Sequence, residues 1–253
     1  MTTSTGTESA LWLRRFRPNP AATRRLVCFP HAGGSASFYR PVALAHSTDA
    51  DVVVLQYPGR QDRHQEPGIL SIDEYADRIT RVLAAEPAKP TVFFGHSMGA
   101  VIAAEVARRL EGTQYAPGVL IVSGRRAPGT ERPQERIHER DDDGVLAELK
   151  RLDGTEGSLL DNEEILRMSL PAIRSDYQAI ETYPARPDLI VGCAIVALLG
   201  EDDPKATPPE VERWRDHTTA AFRLRLFPGG HFYLTKEQAA VNAELTEALR
   251  SLG

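Results

Sequence analysis

Apolar runs alternate with amphipathic segments along most of the 253-residue chain. Short continuous apolar runs are typical of strands buried on both faces of a parallel sheet, and helical spacing between them is typical of crossover helices. The alternation therefore predicts an α/β protein with a mostly parallel central sheet flanked by helices. The last run, "FRLRLF", alternates apolar residues with arginines, which predicts a strand near the sheet edge. The predicted strands cover residues 11–16, 26–29, 52–57, 91–94, 119–123, 193–199 and 222–227.

Two helices are predicted by their first residues as well as by their apolar spacing. Ser71 and Glu74 have the spacing of a capping box at the start of an amphipathic run at 71–86. In such a box each side chain accepts a hydrogen bond from the other residue's backbone N–H. Thr235 and Gln238 repeat this arrangement before the C-terminal run. We expect both helices to pack on the sheet.

One interval, residues 125–190, interrupts the alternation. A crossover between parallel strands needs only about a dozen residues. This interval instead contains a turn-rich stretch followed by helical patterns at 145–152 and about 161–183. We interpret it as a helical lid inserted into a single α/β domain that spans residues 1–253. A second small domain is the alternative, and the two differ in whether these helices cover the functional site.

Composition narrows the classes of function. The formal charge is −5 and the pI is about 5.8, with charges of both signs interspersed, so we expect no nucleic-acid partner. The N-terminus lacks the apolar core of a signal peptide, and no segment has the roughly 20 apolar residues of a membrane span. We therefore expect a cytoplasmic protein with no membrane partner.

The stretch "FFGHSMGAV" places Ser97 between Gly95 and Gly99. This G-x-S-x-G pattern follows a predicted strand and precedes a predicted helix, which is the context of a nucleophile elbow. The backbone is strained at such a turn, and the flanking glycines avoid collisions with the strand and the helix. The pattern predicts that Ser97 is a nucleophile and that the Met98 N–H stabilises an oxyanion. A glycine-flanked turn with an incidental serine is the alternative.

Two later strand ends supply an acid and a base. "LLGEDDP" ends one predicted strand before Asp202 and Asp203, and "LFPGGHFYL" ends the next before His231. The chain order Ser, Asp, His is that of α/β-hydrolases. We therefore expect His231 to be the general base and an aspartate to orient it. Asp203 is favoured because Pro204 fixes the turn after it, although Asp202 stays open.

A second oxyanion donor is expected in the loop "CFPHAGGSASFY". Its two glycines allow the backbone to approach a ligand closely, and the Ala32 N–H is the candidate donor. His31 and His96 flank the predicted site. We expect both to orient loops by hydrogen bonding rather than to act as bases.

We expect no cofactor and no metal. The stretch "HAGGSA" lacks the glycine spacing of a dinucleotide-binding loop and the lysine of a P-loop. The remaining histidines lack the spacing of metal ligands. We assign these four residues to the surface: His46, His64, His138 and His217.

Five motifs in register resemble one known family, the stand-alone type II thioesterases of polyketide and nonribosomal peptide synthesis. The motifs are "FPHAGGSASFY", "YPGRQDR", "FFGHSMGA", "GEDDP" and "FPGGHFYL", and the resemblance covers nearly the whole chain. It implies an α/β-hydrolase fold with a helical lid in the long interval. At the matching positions it implies the triad Ser97, Asp203 and His231, with the backbone of Ala32 and Met98 at the oxyanion hole.

The same resemblance implies a reaction and a partner. The reaction is hydrolysis of acyl groups from the phosphopantetheine arm of an acyl or peptidyl carrier protein, which edits stalled or misprimed synthases. Such carrier proteins are typically acidic, so docking would need a local basic rim. The candidates are arginines in two loops on the catalytic side: Arg60, Arg63, Arg125 and Arg126. Ordinary surface arginines with no partner are the alternative.

The apolar faces of the lid are expected to line or adjoin an acyl-binding pocket. The residues concerned are Leu146, Leu149, Ile165, Met168 and Ile173. No motif in the lid indicates which acyl group is preferred.

The triad alone does not distinguish a thioesterase from an esterase, because both reactions proceed through an acyl-serine. The alternatives are therefore an acyl-CoA thioesterase, a small-molecule esterase, a cyclising thioesterase from a larger synthase, and a non-catalytic binding protein with a hydrolase fold. The motif "YPGRQDR" favours the editing family, and a complete triad argues against a non-catalytic protein.

Overall fold

A seven-stranded sheet lies at the centre of the computed structural model, which describes residues 3–130, 135–153, 163–184, 186 and 188–252. Its strands are β1 (Leu13–Arg14), β2 (Arg25–Phe29), β3 (Asp51–Leu55), β4 (Thr91–His96), β5 (Val119–Ser123), β6 (Ala194–Gly200) and β7 (Phe222–Phe227). They lie in the order β1-β3-β2-β4-β5-β6-β7. Strand β1 is antiparallel to β3, and the remaining pairs of this sheet are parallel. The predicted parallel sheet and the edge position of "FRLRLF" are confirmed.

Helices flank the sheet along the described chain. They are α1 (Thr3–Trp12), α2 (Arg40–His46), α3 (Ile72–Ala84), α4 (Met98–Arg109), α5 (Asp142–Asp153), α6 (Glu163–Glu181), α7 (Pro208–Glu212), α8 (Tyr233–Lys236) and α9 (Gln238–Arg250). None of the described helices is both long enough and apolar enough to cross a bilayer.

Alternate side chains of each strand enter two apolar clusters on opposite faces of the sheet. On β2, Val27 and Phe29 join the cluster that contains α3 and α4, whereas Leu26 and Cys28 join the cluster that contains α2 and α9. Both faces are therefore covered, which explains why the central strands are continuous apolar runs instead of alternating ones.

The parallel register brings the carboxyl ends of four strands to one edge of the sheet. His96 at the end of β4 pairs with Ser123 of β5, Ser123 pairs with Leu198 of β6, and Gly200 of β6 pairs with Phe227 of β7. The loops that leave these strands are consequently neighbours, and in open α/β sheets this edge is where ligands bind.

The interval between β5 and β6 carries α5 and α6 and forms a third apolar cluster. Its buried members are Ile137, Val145, Leu146, Leu170, Ile173 and Tyr177. Ala32, in the loop after β2, packs against this cluster. The helices thus contact a loop at the carboxyl edge of the sheet, which favours the lid interpretation. The organisation as a single domain stays a prediction.

Three local predictions differ from the structure. Ser71 makes no side-chain cap hydrogen bond, and the Glu74 carboxylate instead accepts one from Arg78, one turn further on, at 2.6 Å. Thr235 lies inside α8 and donates to the Phe232 carbonyl, so the last long helix begins at Gln238. The predicted strand at 11–16 shrinks to β1, because the residues before it belong to α1.

Candidate active site

Ser97 lies in the sharp turn between β4 and α4. Its φ and ψ are 54° and −118°, a conformation that costs a non-glycine residue about 1–3 kcal/mol. A β-carbon at Gly99 would lie 2.0 Å from the Phe29 carbonyl oxygen, and one at Gly95 would lie 2.3 Å from the Gly99 carbonyl oxygen. Glycine at both positions is therefore what allows the chain to turn here.

His231 and Asp203 form a buried pair. The imidazole Nδ1 lies 2.8 and 3.0 Å from the two carboxylate oxygens of Asp203. The backbone N–H of Lys205 donates to the same carboxylate at 2.8 Å, which fixes its orientation. Asp202 is exposed. The structure therefore places Asp203, and not Asp202, against the imidazole.

A cavity of about 370 Å³ brings the predicted residues together. Ser97, His231, Ala32 and Met98 all line it. They come from three places at the carboxyl edge of the sheet, namely the β4–α4 turn, the loop after β7 and the loop after β2. The lid contributes further walls through Leu149, Leu152, Tyr177 and Ile180.

Two backbone amides of the loop after β2 are hydrogen-bonded within the protein. The Gly33 N–H donates to Oδ2 of Asp176 at 2.8 Å, and the Gly34 N–H donates to the His31 carbonyl at 2.9 Å. These two amides already have hydrogen-bond acceptors. Ala32, the residue before them, lines the cavity. Met98 is the first residue of α4, so its N–H has no acceptor within the helix. Ala32 and Met98 therefore remain the candidate donors to an oxyanion near Ser97.

His96 packs against His231 and forms part of a buried hydrogen-bonded chain. Its Nδ1 lies 2.9 Å from Oγ of Ser123, which lies 2.7 Å from the hydroxyl oxygen of Tyr233. The ring centroids of His96 and His231 are 4.9 Å apart. His96 therefore hydrogen-bonds at the end of β5, as expected of an orienting residue.

His31 is held mainly by aromatic packing. Its ring contacts Phe38 and Phe232 edge-on, with centroid distances of 4.7 and 4.9 Å. Within the described residues its Nδ1 has no hydrogen-bond partner. The expected loop-orienting hydrogen bond of the His31 side chain is thus not seen there.

Burial keeps both of these histidines neutral. It lowers the pKa of His96 well below its ordinary value, and the neighbouring His231 and His31 lower that pKa further. Burial, followed by the nearby His231, lowers the pKa of His31 to about 3. Neither ring therefore accepts a proton near neutral pH, which leaves His231 as the candidate base.

The five predicted lid residues have different positions. Leu149 lines the cavity, and Leu146 and Ile173 are buried in the lid cluster next to Ala32. The prediction for Met168 is wrong, because its side chain is 78% exposed on the outer face of α6. Ile165 lies in α6, but its side chain is outside the part that the structure describes.

The docking prediction is wrong for Arg60 and Arg63, which are only 6% and 3% exposed. Arg60 is ion-paired with Asp176 at 2.7 Å, and Arg63 with Glu66 at 2.6 Å. Arg63 also lies over the Trp12 ring, 4.7 Å from its centroid. The loop after β3 thus turns these side chains inward, where each one has a carboxylate partner.

Arg125 and Arg126 are half-buried and line the cavity instead of an outer rim. Burial, and next the charge of Arg126, lowers the pKa of Arg125 to about 9. The Arg125 guanidinium therefore still carries its charge at neutral pH. Nη1 of Arg126 lies 3.3 Å from the Lys205 carbonyl oxygen, to which it donates.

The surface assignment is wrong for two of the four remaining histidines. His46 and His217 are buried, because each has a polar partner inside the protein. Nδ1 of His217 lies 2.7 Å from the Leu189 carbonyl oxygen, and Nε2 of His46 lies 3.3 Å from Oδ1 of Asn242. No group of three or more potential metal ligands occurs among the residues described.

Sequence reasoning missed Asp176, which lies on α6 and is fully buried. A signal for it exists in the sequence. Asp176 stands within the apolar stripe of α6, at helical spacing from Ile173 and Ile180 and beside Tyr177. A carboxylate in such a stripe is buried when the helix packs and must then be paired.

Several known proteins are similar to this chain in sequence and fold. A protein described as "Probable cadicidin biosynthesis thioesterase" from Streptomyces griseus is 57% identical over 95% of this chain and 66% of its own length. Thioesterase PikA5 from Streptomyces venezuelae is 45% identical over 96% of this chain and 86% of its own length. The solved structure of the type II thioesterase BorB, from the borrelidin biosynthetic cluster, superposes with a TM-score of 0.85 at 44% identity. It covers 95% of this chain and 97% of that one.

The parallel sheet, the sharp turn at Ser97 and the chain order Ser97, Asp203, His231 define an α/β-hydrolase. The predicted fold class is confirmed. Residues 24–249 match the thioesterase domain family. The chain belongs to that family and is a hydrolase of thioesters. The predicted resemblance to the thioesterases is likewise confirmed.

The neutral state of His31 predicts a pH-dependent stability. Since its pKa is about 3 in the folded state and about 6.5 when unfolded, the unfolded chain binds the extra proton. Stability is lost as the pH falls below about 6.5 and continues to fall towards pH 3. From pH 7 to 5 the wild type should lose about 2 kcal/mol more unfolding free energy than His31→Phe. Urea unfolding at both pH values measures this difference, and equal losses would contradict the assignment.

Proposed function

We propose that this thioesterase hydrolyses acyl groups from the phosphopantetheine arm of an acyl or peptidyl carrier protein. It would act in the cytoplasm and remove stalled or misprimed chains from a modular synthase. The observation that carries the proposal is the lid-walled cavity that Ser97 and His231 line together, with Asp203 hydrogen-bonded to the imidazole. The names of the relatives support the substrate class, since they refer to cadicidin biosynthesis and to the borrelidin biosynthetic cluster.

The first step is transfer of the acyl group to Ser97. The Ser97 hydroxyl oxygen attacks the thioester carbonyl while His231 takes its proton, and the carbonyl π electrons move to oxygen. The N–H groups of Ala32 and Met98 hold the resulting oxyanion. The intermediate then collapses, the carbon–sulfur bond breaks, and His231 gives the proton to the pantetheine sulfur, which leaves as the thiol. Asp203 stabilises the imidazolium formed in between.

The second step repeats the chemistry with water. His231 takes a proton from the attacking water, the same two amides hold the second oxyanion, and the carbon–oxygen bond to Ser97 breaks. Ser97 regains its proton from His231, and the free acid leaves. The walls that Leu149, Tyr177 and Ile180 contribute suit an apolar acyl chain next to the reacting carbon.

The alternatives differ in the leaving group and not in the catalytic residues. An acyl-CoA thioesterase or a small-molecule esterase would use the same serine, base and oxyanion donors. Discrimination between an acyl-CoA and an acyl-carrier protein must therefore come from the groups that contact the carrier, because the pantetheine arm is common to both substrates. Arg125 is the candidate contact for the phosphopantetheine arm itself, because it is a cation on the wall of the cavity that holds Ser97.

Acyl-loaded carrier proteins and the matching acyl-CoAs, compared side by side, test the reaction and the partner together. We expect a higher kcat/KM on the carrier-bound substrates. Mass spectrometry of the carrier measures the loss of the acyl group. Ser97→Ala should fold normally and lose at least about 10³-fold in kcat, because the triad acts as a unit. A preference for acyl-CoA would instead indicate an acyl-CoA thioesterase. Retention of a tenth of the activity by Ser97→Ala would show that Ser97 is not the nucleophile.

Replacing each of the two adjacent aspartates tests the acid. Asp203→Asn should lower kcat by roughly 10²–10⁴-fold, because an amide in contact with Nδ1 favours the wrong tautomer of His231. The matched control Asp202→Asn should stay within about twofold, because an exposed carboxylate away from the imidazole has no such effect. Steady-state kinetics on one acyl-carrier protein measures both, and the reverse ranking would contradict the assignment.

The role of Arg125 is tested with charge-matched variants. Arg125→Gln should raise the KM for acyl-carrier protein and for acyl-phosphopantetheine by about 3- to 10-fold, with kcat within about twofold, because it removes a cation from binding rather than from chemistry. Arg81→Gln, which removes an exposed arginine on α3, should leave KM unchanged. An equal effect of the two variants would show that Arg125 contributes only through net charge.

A further inference from the structure

Asp176 connects the lid to the loop that carries the candidate oxyanion donor. It lies on α6, is fully buried, and accepts four hydrogen bonds. Its Oδ2 accepts from the Gly33 N–H at 2.8 Å and from Nη1 of Arg60 at 2.7 Å. Its Oδ1 accepts from Nη2 of Arg60 at 3.0 Å and from the Tyr75 hydroxyl at 2.6 Å. One carboxylate thus joins α6, the β2 loop, the β3 loop and α3.

Arg60 strengthens the same connection from the other side. Besides the bidentate contact with Asp176, its Nη1 donates to the Gly34 carbonyl at 3.0 Å, and its Nε donates to the Pro58 carbonyl at 3.1 Å. Both charges are buried, so any displacement of either group would leave a charge without its partners, which is costly in a dry interior. The ion pair therefore holds the β2 loop through one N–H and one carbonyl.

The lid also restricts Gly33 by contact. Gly33 has a φ of 74°, and a β-carbon there would lie 2.7 Å from Cγ1 of Ile173. Ile173 and Asp176 are one turn apart on α6, so the helix packs against this residue and binds its amide. The conformation of the peptide that joins Ala32 to Gly33 is therefore set by the lid helix.

We propose that Asp176 is a positioning residue for the oxyanion hole. By fixing the Gly33 amide it limits rotation about the backbone of Ala32 and so aims the Ala32 N–H into the cavity. The inference rests on the proposed function, in which that N–H holds the oxyanion. It also means that α6 cannot move away from the site without disturbing the donor, so the lid and the catalytic geometry are coupled.

A merely structural ion pair would have a different signature. Loss of such a pair lowers the free energy of unfolding. If it also weakens binding, it weakens binding of the substrate and of the transition state by the same factor. A positioning residue for an oxyanion donor acts mainly on the tetrahedral state, because the donor's hydrogen bond to the oxygen becomes stronger when that oxygen becomes charged.

The test compares two inhibitors on Asp176→Asn. The first is a pantetheine trifluoromethyl ketone. Ser97 adds to its carbonyl, the new carbon–oxygen bond forms as the π electrons move to oxygen, and His231 holds the serine proton. The second is the matching pantetheine thioether, which lacks the ketone carbonyl that Ser97 attacks and only occupies the site. The control is Asp51→Asn, which also removes a buried carboxylate from an arginine, Arg25, at 3.0 Å, but at the opposite end of the strands.

Asp176→Asn should weaken the ketone about 10- to 100-fold and the thioether by less than about twofold, with kcat lowered and KM nearly unchanged. Asp51→Asn should leave both affinities within about twofold, although it lowers stability. Equal weakening of ketone and thioether, or a ketone affinity as close to wild type as that of the control, would overturn the proposal.

Folding and the proposed function are controlled separately. If Asp176→Asn does not fold, the double variant Asp176→Asn/Arg60→Gln leaves no unpaired buried charge and should fold, since replacing both partners is far less costly than removing one. It should show the same selective loss of ketone binding, and unchanged ketone binding would overturn the proposal. If the wild type fails to bind the ketone, or Ser97→Ala binds it equally well, the proposed mechanism fails instead.

Discussion

The close contact between the first turn of α4 and the end of β2 determines the geometry of the whole site. Gly99 leaves no room for a side chain against the Phe29 carbonyl, and α4 begins at Met98, two residues after β4 ends. Ser97 then takes its positive φ, at a cost of about 1–3 kcal/mol that the surrounding hydrogen bonds and packing offset. Its N–H donates to the Ser123 carbonyl at 2.8 Å. Since the loop with Ala32 continues from Phe29, the same contact brings both candidate oxyanion donors near the serine.

Two buried carboxylates, Asp203 and Asp176, are stabilised in the same way. Asp203 accepts from the backbone N–H of Lys205 and faces the imidazole of His231. Asp176 accepts from the backbone N–H of Gly33 and faces the guanidinium of Arg60. A buried anion needs several donors, and in both cases one donor is an amide of a loop at the site. Because each buried carboxylate must keep these hydrogen bonds, the loop that supplies the amide is held in place. Asp203 and Asp176 therefore also help to determine the shape of the cavity.

The features that sequence predicted depend on neighbours close in the chain. Strands, the elbow at Ser97 and the strand-end positions of Asp203 and His231 follow from apolar runs, glycines and turn residues within a few positions. Arg60 was misassigned because its partner, Asp176, is distant in sequence and meets it only when the lid packs. His217 was misassigned for the same reason, since its acceptor is a carbonyl of another segment. The sequence pattern can indicate that Asp176 is buried, but it does not indicate which residue pairs with it, so the hydrogen-bond partners around the site could not be predicted from sequence.

Three imidazoles lie close together beside Ser97, and only one of them can serve the proposed reaction. The ring centroids of His96 are 4.9 Å from His231 and 5.9 Å from His31. A second cation at these distances would oppose the imidazolium that His231 forms in each step. Burial prevents this, because it lowers the pKa of both neighbouring rings so far that they stay neutral near pH 7. The positive charge can then develop on His231 alone, against the carboxylate of Asp203. The two other histidines act as neutral packing that keeps the base rigid without competing for its proton.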